Sequence, residues 1–151
     1  MEISRTIFVK HNAEIAHRLS LLPGKCQQIH GHSLQITIEM HVGVDENGIA
    51  RSSVSGEGFR LDFGYVKQAV RGYIDDQFDH HLLLNAEDDL LGVGGHPESA
   101  YPGLMTMPGD PTIENISKWI GEWCADTFGV WWIDVRIDET NTNGATWSAS
   151  R

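Results

Sequence analysis

From His30 to Val42 the even positions read His30, His32, Leu34, Ile36, Ile38, Met40 and Val42, while most odd positions are polar. A period of two predicts a strand whose even face is the inner one. Val44 to Gly58, with Asp45-Glu46-Asn47-Gly48 inside it, reads as a long connection, and Phe59 to Phe63 as a short strand. A helix should follow at once, capped by Asp62 and carrying Val66, Ala69, Val70, Tyr73 and Ile74 at helical spacing up to about Gln77. Ala86 to Pro111 is rich in Gly and Pro and has little periodicity, and loops of that length are usually functional or disordered. Pro111-Thr112 opens a second helix, with Thr112 as N-cap and Glu114 suited to the positive first turn. Ile116, Ile120, Trp123 and Phe128 line one face of it, and Gly129 stops it. Trp131 to Glu139 alternates again, with its apolar residues at odd positions, and Asn143-Gly144 turns the chain into a short final strand around Trp147. Strand pair, helix, helix, strand pair is an α+β pattern with antiparallel pairing.

A chain of 151 residues without repeats, low-complexity tracts or charge blocks is expected to be one domain, 1–151. With 40% hydrophobic and 21% charged residues and five Trp, it should fold rather than stay disordered. Eleven Lys plus Arg against 21 Asp plus Glu give a net charge of -10, so nothing draws the protein generally to a phosphate backbone or an anionic membrane. Nucleic acid and membrane are therefore unexpected partners. No apolar run approaches the roughly 18 to 20 residues of a membrane span, and Met1 to Lys10 lacks the charged start and apolar centre of a signal peptide. The expectation is a soluble, cytoplasmic protein. Cys26 and Cys124 have no paired spacing, which argues against a disulfide framework or a four-thiolate zinc site.

His30 and His32 share one strand face at the point where apolar residues would be expected, with Gly31 between them. Such a pair can share a metal, and His17 on the preceding segment could supply a third nitrogen, which with an open position is the catalytic kind of zinc site. The plainer alternative is inward imidazoles bonded to the backbone. Cys26, in the turn-like Pro23-Gly24-Lys25-Cys26, is a candidate base or nucleophile, since its cationic neighbour favours the thiolate. Cys124 falls among Ile120, Trp123 and Phe128 and reads as an inert core residue. Asp79-His80 closes the first helix as a possible carboxylate-oriented proton-transfer unit, with His81 competing for the role. Glu139 takes the inward parity of the last long strand, where a carboxylate needs a partner, unless the strand has already ended at Ile137.

Several segments, in order along the chain, carry a resemblance. They are Ala16-His17-Arg18-Leu19, Pro23 to Ser33 with its His30-Gly31-His32, Leu61-Asp62-Phe63, Asp79-His80 with Leu83 to Asn85, Pro111 to Asn115, and Glu139-Thr140. Together they resemble the 6-pyruvoyltetrahydropterin synthase and 6-carboxytetrahydropterin synthase family. A Cys separated by three residues from His-Gly-His looks like the bacterial 6-carboxytetrahydropterin synthases of 7-deazaguanine and queuosine biosynthesis. The resemblance implies a T-fold, in which an antiparallel sheet backed by two helices assembles into a barrel, as a homohexamer with sites between subunits. It implies Zn2+ on His17, His30 and His32, catalysis by Cys26, Asp79 and His80, and substrate binding by Glu139, Thr112 and Glu114. The implied reaction converts 7,8-dihydroneopterin triphosphate to 6-carboxytetrahydropterin, acetaldehyde and triphosphate. The pyruvoyl product, or a noncatalytic pterin-binding protein of the same fold, is the alternative. Against the family pattern, the segment Asn12 to His17 differs and the loops 44–58 and 86–111 look expanded.

Overall fold

Two long strands form the centre of the protein: β1 (Arg5–His17) and β2 (His30–Val44) pair antiparallel from Arg5 opposite Val42 to His17 opposite His30. The structure is a computed structural model that describes residues 5–53, 59–92 and 101–150, so parts of both long connections, 54–58 and 93–100, lie outside the described residues. A short β3 (Ala50–Arg51) pairs with the far end of β2. Helix α1 (Phe63–Gln77) leads to β4 (His81–Asn85), and β5 (Leu104–Met107) precedes helix α2 (Ile113–Phe128). The chain then finishes with β6 (Trp132–Asp138) and β7 (Gly144–Ser150). The sheet order is β5-β4-β1-β2-β6-β7, an open sheet with β5 and β7 at its edges among the described residues.

The inner face follows the predicted parity. Leu34, Ile36, Ile38, Met40 and Val42 of β2 are buried, as are Ile133, Val135 and Ile137 of β6. They pack under Val66, Val70 and Ile74 of α1 and Ile116, Ile120 and Phe128 of α2, and each such side chain contributes about 1.5–3 kcal/mol by leaving water. Asp62 caps α1 by accepting from the Tyr65 amide at 3.0 Å, Thr112 caps α2 by accepting from the Asn115 amide at 3.2 Å, and Gly129 ends α2 with φ 55°. The helices meet through Tyr73 and Trp123, stacked with ring centroids 3.9 Å apart. Trp147 of β7 lies so close to Gly121 of α2 that any Cβ there would collide with the indole.

Three expectations change. The sheet is mixed, because β4 runs parallel to β1 and β5 parallel to β4. Helix α1 carries the chain back across the sheet before β4, and a helical crossover delivers a parallel neighbour. Phe59 to Phe63 is not a strand: Arg60 makes only an isolated bridge to Arg51, and Phe63 already belongs to α1, because the Asp62 cap starts the helix there. The connection after Ala86 holds structure of its own, a 3-10 turn at Asp89–Gly92 and the strand β5.

Candidate active site

The register of β1 against β2 assembles the histidines. His17 lies directly opposite His30, and Ile15 opposite His32, so all three imidazoles project from the inner face at the end of the strand pair. Their ring centroids are 4.6–5.1 Å apart. Gly31 is needed between the two histidines of β2, since a Cβ there would stand 2.8 Å from the Ile15 carbonyl oxygen.

Two backbone carbonyls set the tautomers. His17 Nδ1–H donates to the Pro111 carbonyl at 2.8 Å, and His30 Nδ1–H donates to the Gln28 carbonyl at 2.8 Å. Both Nε2 atoms then carry lone pairs, and they face each other at 3.1 Å. Two facing lone pairs at that distance are satisfied by a shared proton or by a metal ion bound to both. Nitrogens bound to one zinc at about 2.0–2.1 Å in tetrahedral array lie about 3.3 Å apart, so the donor set and its spacing fit that ion. Burial lowers the His17 pKa, and the neighbouring His30 and His32 lower it further, against the raising effects of the Pro111 carbonyl and Glu139. The neutral ligand form is the one favoured.

Glu139 follows β6 with the inward parity of that strand. Its Oε1 lies 3.5 Å from His32 Nε2 and 3.8 Å from His17 Nε2, and its Oε2 accepts from Asn143 Nδ2 at 2.7 Å. The carboxylate is therefore turned toward the histidines, its side chain only 19% exposed, and the reading of a solvated strand end fails.

Cys26 sits half-buried in the 3-10 turn Lys25–Gln27, and its carbonyl accepts from the Leu19 amide at 2.8 Å, which folds the segment back against the end of β1. Arg18, beside His17, holds this segment from the other side: its Nε donates to the Gln27 carbonyl at 2.7 Å, and its Nη1 pairs with Asp89 at 2.6 Å and with the buried Asp88. Asp110 completes the tie, accepting from Ser20 Oγ at 2.7 Å, the Leu21 amide at 2.8 Å and Asn85 Nδ2 at 3.1 Å. It is the residue next to Pro111, whose carbonyl orients His17. Arg18, Asp88, Asp110 and Asn143 are site supports that sequence reasoning missed. Only Arg18 stood inside a recognised motif, and its acidic partner lies 70 residues away.

Asp79 selects between the two candidate imidazoles. Its Oδ2 accepts from His80 Nδ1 at 2.8 Å, while His81 Nδ1 turns to the Asp79 backbone carbonyl. The Glu14 amide, donating to Asp79 Oδ1 at 2.8 Å, and then His80 hold the Asp79 carboxyl below its ordinary pKa. His80 occupies the left-handed region with φ 59°, and its side chain is 79% exposed. Among the described residues it makes no hydrogen bond, ion pair or ring contact with the three-histidine cluster of its own chain. Thr112 and Glu114 take places at the start of α2, the first half-buried with its oxygen engaged by the cap and the second exposed in the first turn. Cys124 is fully buried, and burial pushes its thiol pKa up.

The family model for 6-pyruvoyl tetrahydropterin synthase matches residues 6–150. The chain belongs to that family. It is 29% identical over 104 residues to the 6-carboxy-5,6,7,8-tetrahydropterin synthase of Rickettsia bellii, covering 69% of this chain and 68% of that one. The enzyme of the same name from Rickettsia typhi is 31% identical over 106 residues, with 69% and 68% covered. The one from Synechocystis is 29% identical over 114 residues, with 76% and 70% covered. Among solved structures, Plasmodium vivax 6-pyruvoyltetrahydropterin synthase superposes with a TM-score of 0.74 at 17% identity, over 99% of this chain and 100% of that one. The Caenorhabditis elegans protein does so with 0.64 at 19%, over 99% and 98%. The fold is the T-fold of these synthases.

Proposed function

We propose that this family member is a zinc-dependent lyase, a 6-carboxy-5,6,7,8-tetrahydropterin synthase that converts 7,8-dihydroneopterin triphosphate to 6-carboxytetrahydropterin, acetaldehyde and triphosphate. The observation that carries the reading is the facing pair of Nε2 lone pairs on His17 and His30, with His32 beside them and the Glu139 carboxylate against the cluster. A purely structural histidine cluster does not call for a half-buried thiol in the segment leading into β2, or for an exposed, carboxylate-oriented imidazole elsewhere in the same fold.

His17, His30 and His32 would hold the zinc, which when bound supplies Lewis acidity at the side-chain oxygens of the substrate and so acidifies the adjacent carbons. Glu139 accepts the ring N–H and amino hydrogens of the pterin, with Asn143 holding its carboxylate, and so sets the ring beside His17 and His32. Cys26 takes the proton from the substrate side chain. His80 is the second proton-transfer group: with Nδ1–H given to Asp79, its Nε2 is the atom that receives or returns the proton. Thr112 and Glu114 contribute substrate contacts from the start of α2.

The exposure of His80, away from its own chain's histidines, supports sites completed between subunits of a barrel-shaped homohexamer, each subunit one domain. The reading places the protein in the cytoplasm, in 7-deazaguanine and queuosine biosynthesis. The carboxy product is favoured over the pyruvoyl one by the names of the curated relatives in Rickettsia and Synechocystis. Incubation of the zinc-loaded protein with 7,8-dihydroneopterin triphosphate, with triphosphate and acetaldehyde followed together, tests it. Release of both is expected, and an unconsumed substrate overturns the proposal.

A further inference from the structure

The sheet face turned away from the helices carries a second constellation of metal-ligating side chains. Glu39 and His41 of β2 and Asp134 of β6 bring one ligand atom each within 4.8 Å of the others, all three residues half-buried. They share the outward parity of their strands, whereas His30 and His32 point inward. From His32 to Glu39 the strand advances about 23 Å at its usual rise, so the two groups are separate.

The ladder register makes this arrangement unfavourable without a cation. Glu39 stands directly opposite Asp134, a like-charge pair in the position where cross-strand side chains interact most strongly. The cations of the same face are engaged elsewhere: Arg136 binds Asp138 at 2.8 Å, and the Lys10 ammonium sits 5.8 Å from the centre of the Phe8 ring. Neither Glu39 nor Asp134 has an ion pair among the described residues. Asp134 accepts from the Ser148 hydroxyl, which orients the carboxylate but leaves its charge in place. His41 adds an imidazole two register positions along, on the same face, its ring held against Trp132 with centroids 5.9 Å apart.

We propose that Glu39, His41 and Asp134 form a second cation site, distinct from the three-histidine cluster. One imidazole with two carboxylates is a mixed nitrogen and oxygen set that suits a divalent first-row metal such as Mn2+, Co2+, Ni2+ or Zn2+. Bound there, the ion joins β2 to β6 and neutralises the opposed carboxylates. The site stands on its own geometry and does not depend on the catalytic reading.

The test uses Co2+ as the probe, titrated into the full chain after chelator treatment, with stoichiometry by calorimetry and Trp fluorescence quenching as a second signal. Wild type should take two equivalents per chain, His41→Ala one, and His30→Ala the other one. Glu39→Gln should also lose the outward equivalent. In chelator it should melt at or above the wild-type temperature, because removing one carboxylate relieves the repulsion. A wild type and His30→Ala that both keep an equivalent abolished by His41→Ala uphold the site even if the three-histidine cluster proves not to bind. Retention of every wild-type equivalent by His41→Ala overturns it, as does a Glu39→Gln variant that binds like wild type.

Discussion

Replacing Asp110 by Ala removes the acceptor that ties three parts of the chain together. The carboxylate is 7% exposed and takes hydrogen bonds from Ser20, Leu21 and Asn85. Asn85 is itself 5% exposed, so its amide would be left without water, whereas Leu21 is 77% exposed and Ser20 lies in between. One stranded buried donor costs about 1–3 kcal/mol, and two charge-assisted bonds recovered only in part by water bring the expected loss to about 2–4 kcal/mol. Urea unfolding of the chelator-treated protein should show it as a lower midpoint at unchanged slope. Burial alone would raise this carboxyl's pKa, but the Leu21 amide, the Ser20 hydroxyl and the Asn85 amide outweigh it and hold the group below its ordinary 3.8. A lowered carboxyl pKa contributes stability above the unfolded value and loses it as pH falls through the folded one, so the difference between wild type and Asp110→Ala should shrink below about pH 3.8. Zinc affinity should fall as well, because Asp110 precedes the Pro111 carbonyl that orients His17. A loss under about 0.5 kcal/mol with unchanged zinc affinity would refute the claim that this carboxylate organises the site, since that is the range of an ordinary surface change.

Other expectations follow from the same geometry. Cys26→Ala should abolish turnover while zinc and pterin binding persist, and Cys124→Ala should lower only stability; an essential Cys124 would contradict the assignment of the base. Glu139→Gln should weaken binding of a nonreactive pterin such as sepiapterin by at least about tenfold in calorimetric titration, and equal affinities would remove Glu139 as the anchor. His80→Ala should lose turnover and His81→Ala should keep most of it, because only His80 meets the Asp79 carboxylate; the reverse order would contradict the pairing.

The sequence shows its own structure best where one face is wet. The alternation from His30 to Val42 and from Trp131 onward gave both the inner face and the placement of His30, His32 and Glu139 on it. The caps at Asp62 and Thr112 and the stop at Gly129 were legible because each satisfies an end of a helix locally. Strand β4 was not, since Leu82-Leu83-Leu84 is a continuous apolar run flanked by parallel neighbours, and such strands show no alternation. The first strand was hidden too, with Phe8 exposed among polar residues and His11 interrupting the apolar positions of its inner face. The supports of the site lay beyond reach for another reason: Arg18 with Asp88 and Ser20 with Asp110 are pairings across 70 and 90 residues that no local pattern announces.

The central claim is that the histidine cluster on the inner face carries out pterin chemistry. It is tested most directly by mass analysis of the pterin formed from 7,8-dihydroneopterin triphosphate by wild type and by His30→Ala, each after incubation with zinc. Wild type should yield 6-carboxytetrahydropterin, and the variant, lacking one of the two facing Nε2 atoms, should leave the substrate unchanged. The same product at the same rate from both proteins, or none from wild type, would contradict the account.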